Sequence, residues 1–244
     1  MVERQQREFD NRNSPLVLLW SGGKDALLAL LALEAAGNAP RALVTTVAGP
    51  GEEVTMHGVG LPLIRAQAQA LGLPLVVMRQ PEGAPNEEYE RLLGETLAPL
   101  REEGVEQVAA GDLFLEDLRA YREDLLRRLG FDPLFPLWQR DTGRLARRFV
   151  EEGHRAVVCS VDTTQLDAAF AGRFYDRAFL DDLPAEVDPC GERGAFHTFV
   201  CGGPRFREPV PVERGSVHRG ERAPERTSSL RSGRMARAQL RLKA

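Results

Sequence analysis

The chain has 244 residues, of which 43% are hydrophobic and 28% are charged, a composition typical of globular proteins. The net charge of −4 hides an asymmetry, because residues 207–244 hold ten Arg or Lys and only four Glu, which leaves the rest acidic. An acidic body is a poor platform for nucleic acid, which Lys and Arg bind through its phosphates. No apolar run is long enough to span a bilayer and residues 1–14 lack an apolar signal core, so we expect a cytoplasmic protein without a membrane partner.

The predicted elements alternate between strand and helix. Residues 16–20 form a predicted buried strand, followed by a glycine turn and a helix over residues 25–36. Further strands are predicted at 41–47, 75–78 and 105–110, and further helices at 61–71, 86–103 and 115–129. This order predicts a doubly wound, Rossmann-like parallel α/β sheet. Ligands of such sheets bind beyond the carboxyl ends of the strands, where the sequence places Ser21-Gly22-Gly23, Thr45-Thr46 and Gly111-Asp112.

The segment Ser21-Gly22-Gly23-Lys24-Asp25, called the glycine loop below, has the composition of a phosphate site. A helix N-terminus attracts phosphate because its first N–H groups are unpaired and carry partial positive charge. Gly22 and Gly23 let the backbone approach the phosphate oxygens, Lys24 adds a cation, and Asp25 is placed to help hold Mg²⁺. The loop lacks the glycine spacing of the P-loop and of the dinucleotide fingerprint. A plain glycine turn into a helix is the structural alternative.

The glycine loop after a first strand resembles the pyrophosphate loop of N-type ATP pyrophosphatases, the PP-loop superfamily with the adenine nucleotide alpha-hydrolase fold. Met56-His57-Gly58, the segment from Gly111 to Gly130 and residues 187–200 extend this to a resemblance to the diphthine–ammonia ligase family, especially its bacterial members. The resemblance covers residues 15–206. The chain departs from the family pattern at Ala26, where Ser is usual, and at Ala195, where Glu is common.

The resemblance implies an enzyme that adenylates a substrate carboxylate with ATP and Mg²⁺, releases pyrophosphate, and forms an amide with ammonia or an amine. The acid substrate is either a small molecule or a group carried by a protein, and the resemblance does not identify it. The formation of homo-oligomers is also left open. Catalytic roles are predicted for Lys24, Asp25 and Glu192. ATP binding is predicted for Ser21, Gly22, Gly23, Lys24, Asp25, Thr45, Thr46, Gly111 and Asp112. Substrate binding is predicted for His57, Arg119, Arg122, Gly191, Glu192, His197 and Thr198.

The predicted helix over residues 115–129 carries arginines on or near its apolar face. At helical spacing its apolar residues form one stripe, with Arg122 inside it and Arg119 on its flank. A buried arginine needs an anion, because an unpaired buried charge is costly. We favour a ligand phosphate or carboxylate for Arg122, and a salt bridge to an internal acid is the alternative.

In residues 187–200, Gly191 and Gly194 permit a tight loop. Glu192 is predicted to position ammonia or to take its proton, and His197 to bind the substrate carboxylate. Both side chains could instead brace the loop. A zinc site of His57, Cys190 and His197 does not fit any compact zinc spacing, so no zinc site is predicted. Cys159, Cys190 and Cys201 are isolated and are interpreted as buried thiols.

Four segments are expected: a flexible leader (1–14), an ATP-binding α/β domain (15–129), a smaller α+β subdomain that closes over it (130–206) and a flexible basic tail (207–244). Residues 131–138 are interpreted as a linker. Two other functions remain open at this point. A PP-loop tRNA-modifying enzyme would use the basic tail to hold RNA, and a non-catalytic sensor would bind ATP without turnover. The acidic body and the absence of a C-x-x-C pair argue against the first.

Overall fold

A computed structural model describes residues 14–221 and 234–243. The first part of the chain alternates strands and helices, as predicted. Its elements are β1 (Leu16–Leu19), α1 (Lys24–Ala35), β2 (Ala42–Ala48), β3 (Glu53–Val54), β4 (Val59–Gly60), α2 (Leu61–Leu71), β5 (Leu75–Gln80), α3 (Asn86–Glu102), β6 (Gln107–Ala109), α4 (Glu116–Arg128) and β7 (Asp132–Leu134).

Five of these strands form a parallel sheet in the order β5-β2-β1-β6-β7. The short β3–β4 hairpin continues from β2 and pairs with it antiparallel. The predicted doubly wound α/β fold is therefore confirmed. Residues 132–134 form β7 and extend this sheet, so the prediction of a linker over 131–138 is wrong there. The proline at position 133 is tolerated because β7 is an edge strand. The domain division at residue 130 stays a prediction.

Apolar side chains cover both faces of the parallel sheet. On one face, a cluster that includes Val17, Val44, Leu93 and Leu125 joins the sheet to α3 and α4. On the other face, the buried leucines of α1 belong to a larger cluster that also contains side chains from the second half of the chain. The two halves therefore share one core at α1.

The second half contains an antiparallel sheet in the order β10-β11-β8-β9. Its elements are α5 (Thr142–Glu151), β8 (Arg155–Asp162), α6 (Arg177–Asp182), β9 (Phe196–Gly202), β10 (Val212–Glu221) and β11 (Arg234–Leu242). The N–H of Val200 in β9 donates to the carbonyl of Gly22, 2.9 Å away. This bond ties the second sheet directly to the glycine loop.

The predicted flexible tail is wrong where residues 212–221 and 234–242 form β10 and β11. In β11, Ala236, Ala238 and Leu240 are buried, whereas Arg237 and Gln239 are only half-buried. This two-residue alternation is typical of a strand with one buried face, and the many arginines between the apolar residues concealed it. The predicted leader falls on residues 1–14, of which 1–13 lie outside the described residues. None of the helices within 14–221 and 234–243 has the length and hydrophobicity needed to cross a membrane.

Candidate active site

The glycine loop joins β1 to the first turn of α1, with Gly23 as the N-cap residue. Gly22 has a φ of 80°, a left-handed conformation that favours glycine. A Cβ at Gly22 would lie 2.7 Å from Ile64 Cδ1, and a Cβ at Gly23 would lie 2.8 Å from His57 Cε1. Ser21 Oγ accepts a hydrogen bond from the N–H of Gly23 at 3.3 Å. Gly22 is therefore favoured by its conformation and by close packing, and Gly23, whose backbone is extended, by close packing alone.

The buried side chain of Gln67 in α2 holds the glycine loop in place by hydrogen bonds. Its side-chain amide donates to the carbonyl oxygens of Gly22, at 2.9 Å, and Val200. Its Oε1 accepts from Trp20 Nε1 at 2.9 Å. Gln67 is fully buried, so these three bonds satisfy a polar group that would otherwise be costly to bury. Sequence reasoning missed this residue, although a glutamine on the apolar face of a helix was a usable signal.

Lys24 links the glycine loop to residues 187–200. Its N–H donates to Thr198 Oγ1 at 3.0 Å, and its ammonium group donates to Asp25 Oδ2 at 3.0 Å and to the carbonyl of Cys190. The side chain is 1% exposed, and the ammonium lies 5.2 Å from the centre of the Phe196 ring. Burial alone would lower the pKa of Lys24, but the neighbouring Asp25 carboxylate raises it overall. The ammonium is therefore charged and held inside the protein.

Two carboxyl groups near this ammonium have an oxygen without a hydrogen-bond partner among the described residues, namely Asp25 Oδ1 and Glu192 Oε2. Burial and the negative charge of Asp25 raise the pKa of Glu192 from 4.5 to about 7. Burial also raises the pKa of Asp25, against the opposing charge of Lys24. Glu192 can therefore accept or release a proton near neutral pH, as a general base or acid must.

Asp188 shapes the turn that carries Glu192. Its Oδ1 accepts from the N–H of Cys190 at 2.7 Å, and its Oδ2 accepts from Thr142 Oγ1 at the start of α5, also at 2.7 Å. Gly191 follows with a φ of 72°, and a Cβ there would lie 2.5 Å from the carbonyl of Phe196. The aspartate and the glycine together give the turn a single conformation.

His57, His197 and Thr198 meet on the other side of the glycine loop. His57 Nδ1 donates to the backbone carbonyl of Thr198 at 3.0 Å, and the rings of His57 and His197 lie 4.8 Å apart. Burial lowers the pKa of His57 from 6.5 to about 4, so the ring is neutral at pH 7. Cys190 donates its thiol to the carbonyl of Thr142 and does not join the two histidines. No three metal-binding side chains converge in the described part of the chain.

The remaining predicted ATP residues lie in β2 and just after β6, the two strands that flank β1. The prediction that Thr45-Thr46 lie beyond the end of their strand is wrong, because β2 runs on to Ala48. Thr45 is fully buried within β2, and its Oγ1 has no hydrogen-bond partner among the described residues. Thr46 follows it, and β2 continues to Ala48. Gly111 lies against α1, since a Cβ there would be 2.9 Å from the carbonyl of Asp25. Their roles in ATP binding stay predictions.

The two arginines of α4 that were predicted to bind substrate, Arg119 and Arg122, have protein partners. Arg122 donates to Asp112 through Nε at 2.7 Å and through Nη2 at 3.4 Å, and both side chains are largely buried. Arg119 donates to Glu123 at 2.6 Å and stacks over Trp138, with its guanidinium carbon 4.6 Å from the ring centre. Arg122 thus has the internal carboxylate partner of the alternative interpretation. Its contact with a ligand stays a prediction.

Comparisons with known proteins place both halves of the chain in one family. Residues 15–133 match the diphthamide synthase N-terminal domain, and residues 141–224 match the diphthamide synthase C-terminal domain. A diphthine–ammonia ligase of Homo sapiens is 28% identical over 221 residues, covering 82% of this chain and 83% of the relative. That of Danio rerio is 26% identical over 220 residues, covering 81% and 86%.

A solved structure of a U34-tRNA thiolase from Methanococcus maripaludis is 15% identical and covers 60% of this chain and 62% of its own, with a TM-score of 0.34. The matches to the two diphthamide synthase domains together span most of the chain. The alignments with the two ligases cover more than four fifths of the length of each ligase. The chain therefore belongs to the diphthamide synthase, or diphthine–ammonia ligase, family.

Proposed function

We propose that this protein is an ATP-dependent ligase that joins a substrate carboxylate to ammonia or another amine and releases AMP and pyrophosphate. One observation carries the proposal: the glycine loop and residues 187–200 meet at Lys24, whose N–H donates to Thr198 and whose ammonium donates to Cys190. The glycine loop, which is suited to phosphate binding, thus lies near the carboxyl group of Glu192, whose pKa is near 7. A ligase that uses ATP and then an amine needs both functions in one site.

In the first stage, a carboxylate oxygen of the acid attacks the α-phosphorus of ATP. A new oxygen–phosphorus bond forms as the bond from the α-phosphorus to the bridging oxygen of pyrophosphate breaks. The N-terminus of α1 and the glycine loop bind the phosphates. Asp25 Oδ1, which has no hydrogen-bond partner within the described part of the chain, fits Mg²⁺ coordination, and a bound Mg²⁺ would neutralise phosphate charge. Lys24 contributes its positive charge from within the protein.

In the second stage, ammonia or an amine attacks the acyl carbon of the adenylate. The carbon–oxygen bond to AMP breaks and an amide bond forms, while the attacking nitrogen loses a proton. Glu192 would accept that proton, a role supported by its pKa near 7 and by an Oε2 that has no hydrogen-bond partner among the described residues. The neutral His57 and the adjacent His197, whose ring centres lie 4.8 Å apart, would contact the acid.

The ligase proposal is favoured over the two alternatives. The relatives reported above carry the name diphthine–ammonia ligase, which refers to amide formation. A sensor would not need a carboxyl group with a raised pKa beside the loop, whereas a proton acceptor does. The identity of the acid is a further question, since the proposal fixes only that it carries a carboxylate.

A screen of carboxylic acids for stimulated pyrophosphate release tests the proposal. With ATP, Mg²⁺ and ammonium present, at least one acid is expected to raise the rate. Asp25→Asn is expected to lower that rate at least about tenfold, which corresponds to about 1.4 kcal/mol. Asp124→Asn changes an aspartate that is 71% exposed on α4 and serves as the control. Stimulation by tRNA instead of an acid would favour the tRNA-modifying alternative, and ATP binding without turnover would favour the sensor.

A further inference from the structure

A row of polar side chains crosses three strands of the second sheet. Arg237 of β11 pairs in register with Ser160 of β8, and Ser160 pairs in register with His197 of β9. Residues directly opposite each other in antiparallel strands project from the same face of the sheet. Arg237, Ser160 and His197 therefore share one face, and we call them the cross-strand row.

The loop between β3 and β4 covers the cross-strand row. Ser160 Oγ donates to the carbonyl of Met56 at 3.1 Å, and the ring of His197 lies 4.8 Å from that of His57. The side chain of Arg237 packs against Gly58, since a Cβ there would lie 3.0 Å from Arg237 Cδ and 3.5 Å from its Nε. Residues 56–58 thus contact both Arg237 and His197, so Arg237 lies near the two histidines of the candidate active site.

The charge of Arg237 lacks a partner within the described chain. Its Nε is buried without a hydrogen bond there, and none of the ion pairs found among residues 14–221 and 234–243 includes Arg237. Arg122 and Arg205, also partly buried, each pair with a carboxylate. A partly buried guanidinium without an acid beside it is suited to bind an anion with two parallel hydrogen bonds.

The cross-strand row and Thr198 Oγ1 lie on opposite faces of the second sheet. Adjacent residues of a strand project to opposite faces, so His197 and Thr198 point in opposite directions. Thr198 Oγ1 faces the glycine loop and accepts from Lys24, whereas His197 shares the face of Arg237. An anion held by Arg237 would therefore lie beside the histidines, on the opposite face of β9 from the hydrogen bond between Lys24 and Thr198.

We propose that Arg237, delivered by the C-terminal strand β11, binds a carboxylate of the acid substrate at the cross-strand row. This inference rests on the ligase function proposed above and narrows the substrate class to acids whose carboxylate reaches β11. It also gives the C-terminal hairpin a role in substrate binding, in addition to its role in the core.

Arg237→Gln and Arg237→Lys test this site, with Arg241→Gln as the control on the same strand, where the side chain is exposed. The probe is sulfate, titrated at constant ionic strength into protein saturated with α,β-methylene ATP and Mg²⁺, so that nucleotide covers the glycine loop. The midpoint of thermal unfolding reports binding. Sulfate should bind Arg237→Gln at least about tenfold more weakly than Arg241→Gln, with Arg237→Lys in between. Affinity for the ATP analogue, measured by calorimetry, should change less than about twofold.

Equal responses to sulfate in Arg237→Gln and Arg241→Gln would overturn the proposal. A tenfold loss of affinity for the ATP analogue in Arg237→Gln would also overturn it, because the anion would then belong to the nucleotide. If wild-type protein binds no ATP analogue, the ligase function fails, and the sulfate comparison without nucleotide still decides whether Arg237 forms an anion site.

Discussion

Replacing Glu192 by Gln should change the pH dependence of both stability and activity. Glu192 lies in the turn shaped by Asp188, and its Oε2 has no hydrogen-bond partner among residues 14–221 and 234–243. Burial is the main cause of its raised pKa, and the negative charge of Asp25 is the next. The pKa of Glu192 is raised from 4.5 to about 7, so the folded protein holds this proton at pH values where the unfolded chain has released it. Glutamine has nearly the same shape and cannot ionise.

The size and sign of the stability effect follow from these two values. Below about pH 4.5 both states hold the proton, and Glu192 contributes no pH dependence. Between pH 4.5 and 7 the unfolded chain ionises first, which favours unfolding, and above pH 7 the full cost is present. A pKa difference of about 2.5 corresponds to about 3 kcal/mol, an upper value because the side chain retains some contact with water. Glu192→Gln should therefore be more stable than wild type at pH 8 by about 2 kcal/mol, with little difference at pH 4.5.

Urea unfolding at pH 4.5, 6 and 8 measures this difference, and Glu186→Gln, an exposed glutamate on the same segment, is the control. The same Glu192 variant should lose at least about tenfold in amide formation at pH 7, since it cannot take the proton. If the stability gap between Glu192→Gln and wild type is the same at pH 4.5 and pH 8, the raised pKa is refuted. If amide formation is unchanged, its role as proton acceptor is refuted.

Three further variants test the packing around the site. Lys24→Met should lower the free energy of unfolding by about 3 kcal/mol, because it leaves Asp25 and the Cys190 carbonyl without the buried ammonium. Lys243→Met, at an exposed position, should have little effect. Equal urea midpoints for the two variants would contradict this prediction. Removal of residues 207–244 takes away five side chains that are buried in the described structure, those of Val210, Met235, Ala236, Ala238 and Leu240, and should lower the melting temperature by about 10 °C or more. A change under about 5 °C would show that this segment contributes little to the core. Arg122→Lys should lose about 1 kcal/mol of stability through its weaker contact with Asp112, and Arg127→Lys, at a 62% exposed position, should lose almost none. Normal activity per folded Arg122→Lys molecule would identify the Asp112 pair as structural, and a loss of about tenfold would support a ligand contact.

Local signals account for the parts of the fold that the sequence predicted well. Helix α2 has the predicted bounds because Pro62 marks its first turn and Gly72, with a φ of 69°, ends it. Strand β1 is a continuous apolar run and β2 and β5 are mainly apolar, which identifies these strands without knowledge of their neighbours. By contrast, β7 contains a proline and β11 alternates small apolar residues with arginine, and both patterns are equally typical of loops.

The candidate site could be predicted only as separate motifs. The glycine loop, Met56-His57-Gly58 and residues 187–200 were identified as functional, and the structure brings all three together at Lys24 and Thr198. Their contacts depend on β9 lying beside α1, which no local pattern encodes. Gln67 and Arg237 were missed for the same reason, since each acts on segments that are distant in the sequence. Arg122 was identified as a buried cation, but its partner Asp112 could not be chosen from the sequence alone.

The bond at which ATP is cleaved tests the central claim most directly. ATP labelled in the adenine ring and in the γ-phosphate is incubated with Mg²⁺, ammonium and the acid that gives the fastest turnover, and the products are separated by chromatography. Cleavage between the α- and β-phosphates predicts AMP and pyrophosphate in equal amounts, with both products reduced together in Asp25→Asn. Consistent formation of ADP and orthophosphate would contradict the assignment of the glycine loop to the pyrophosphate-releasing type.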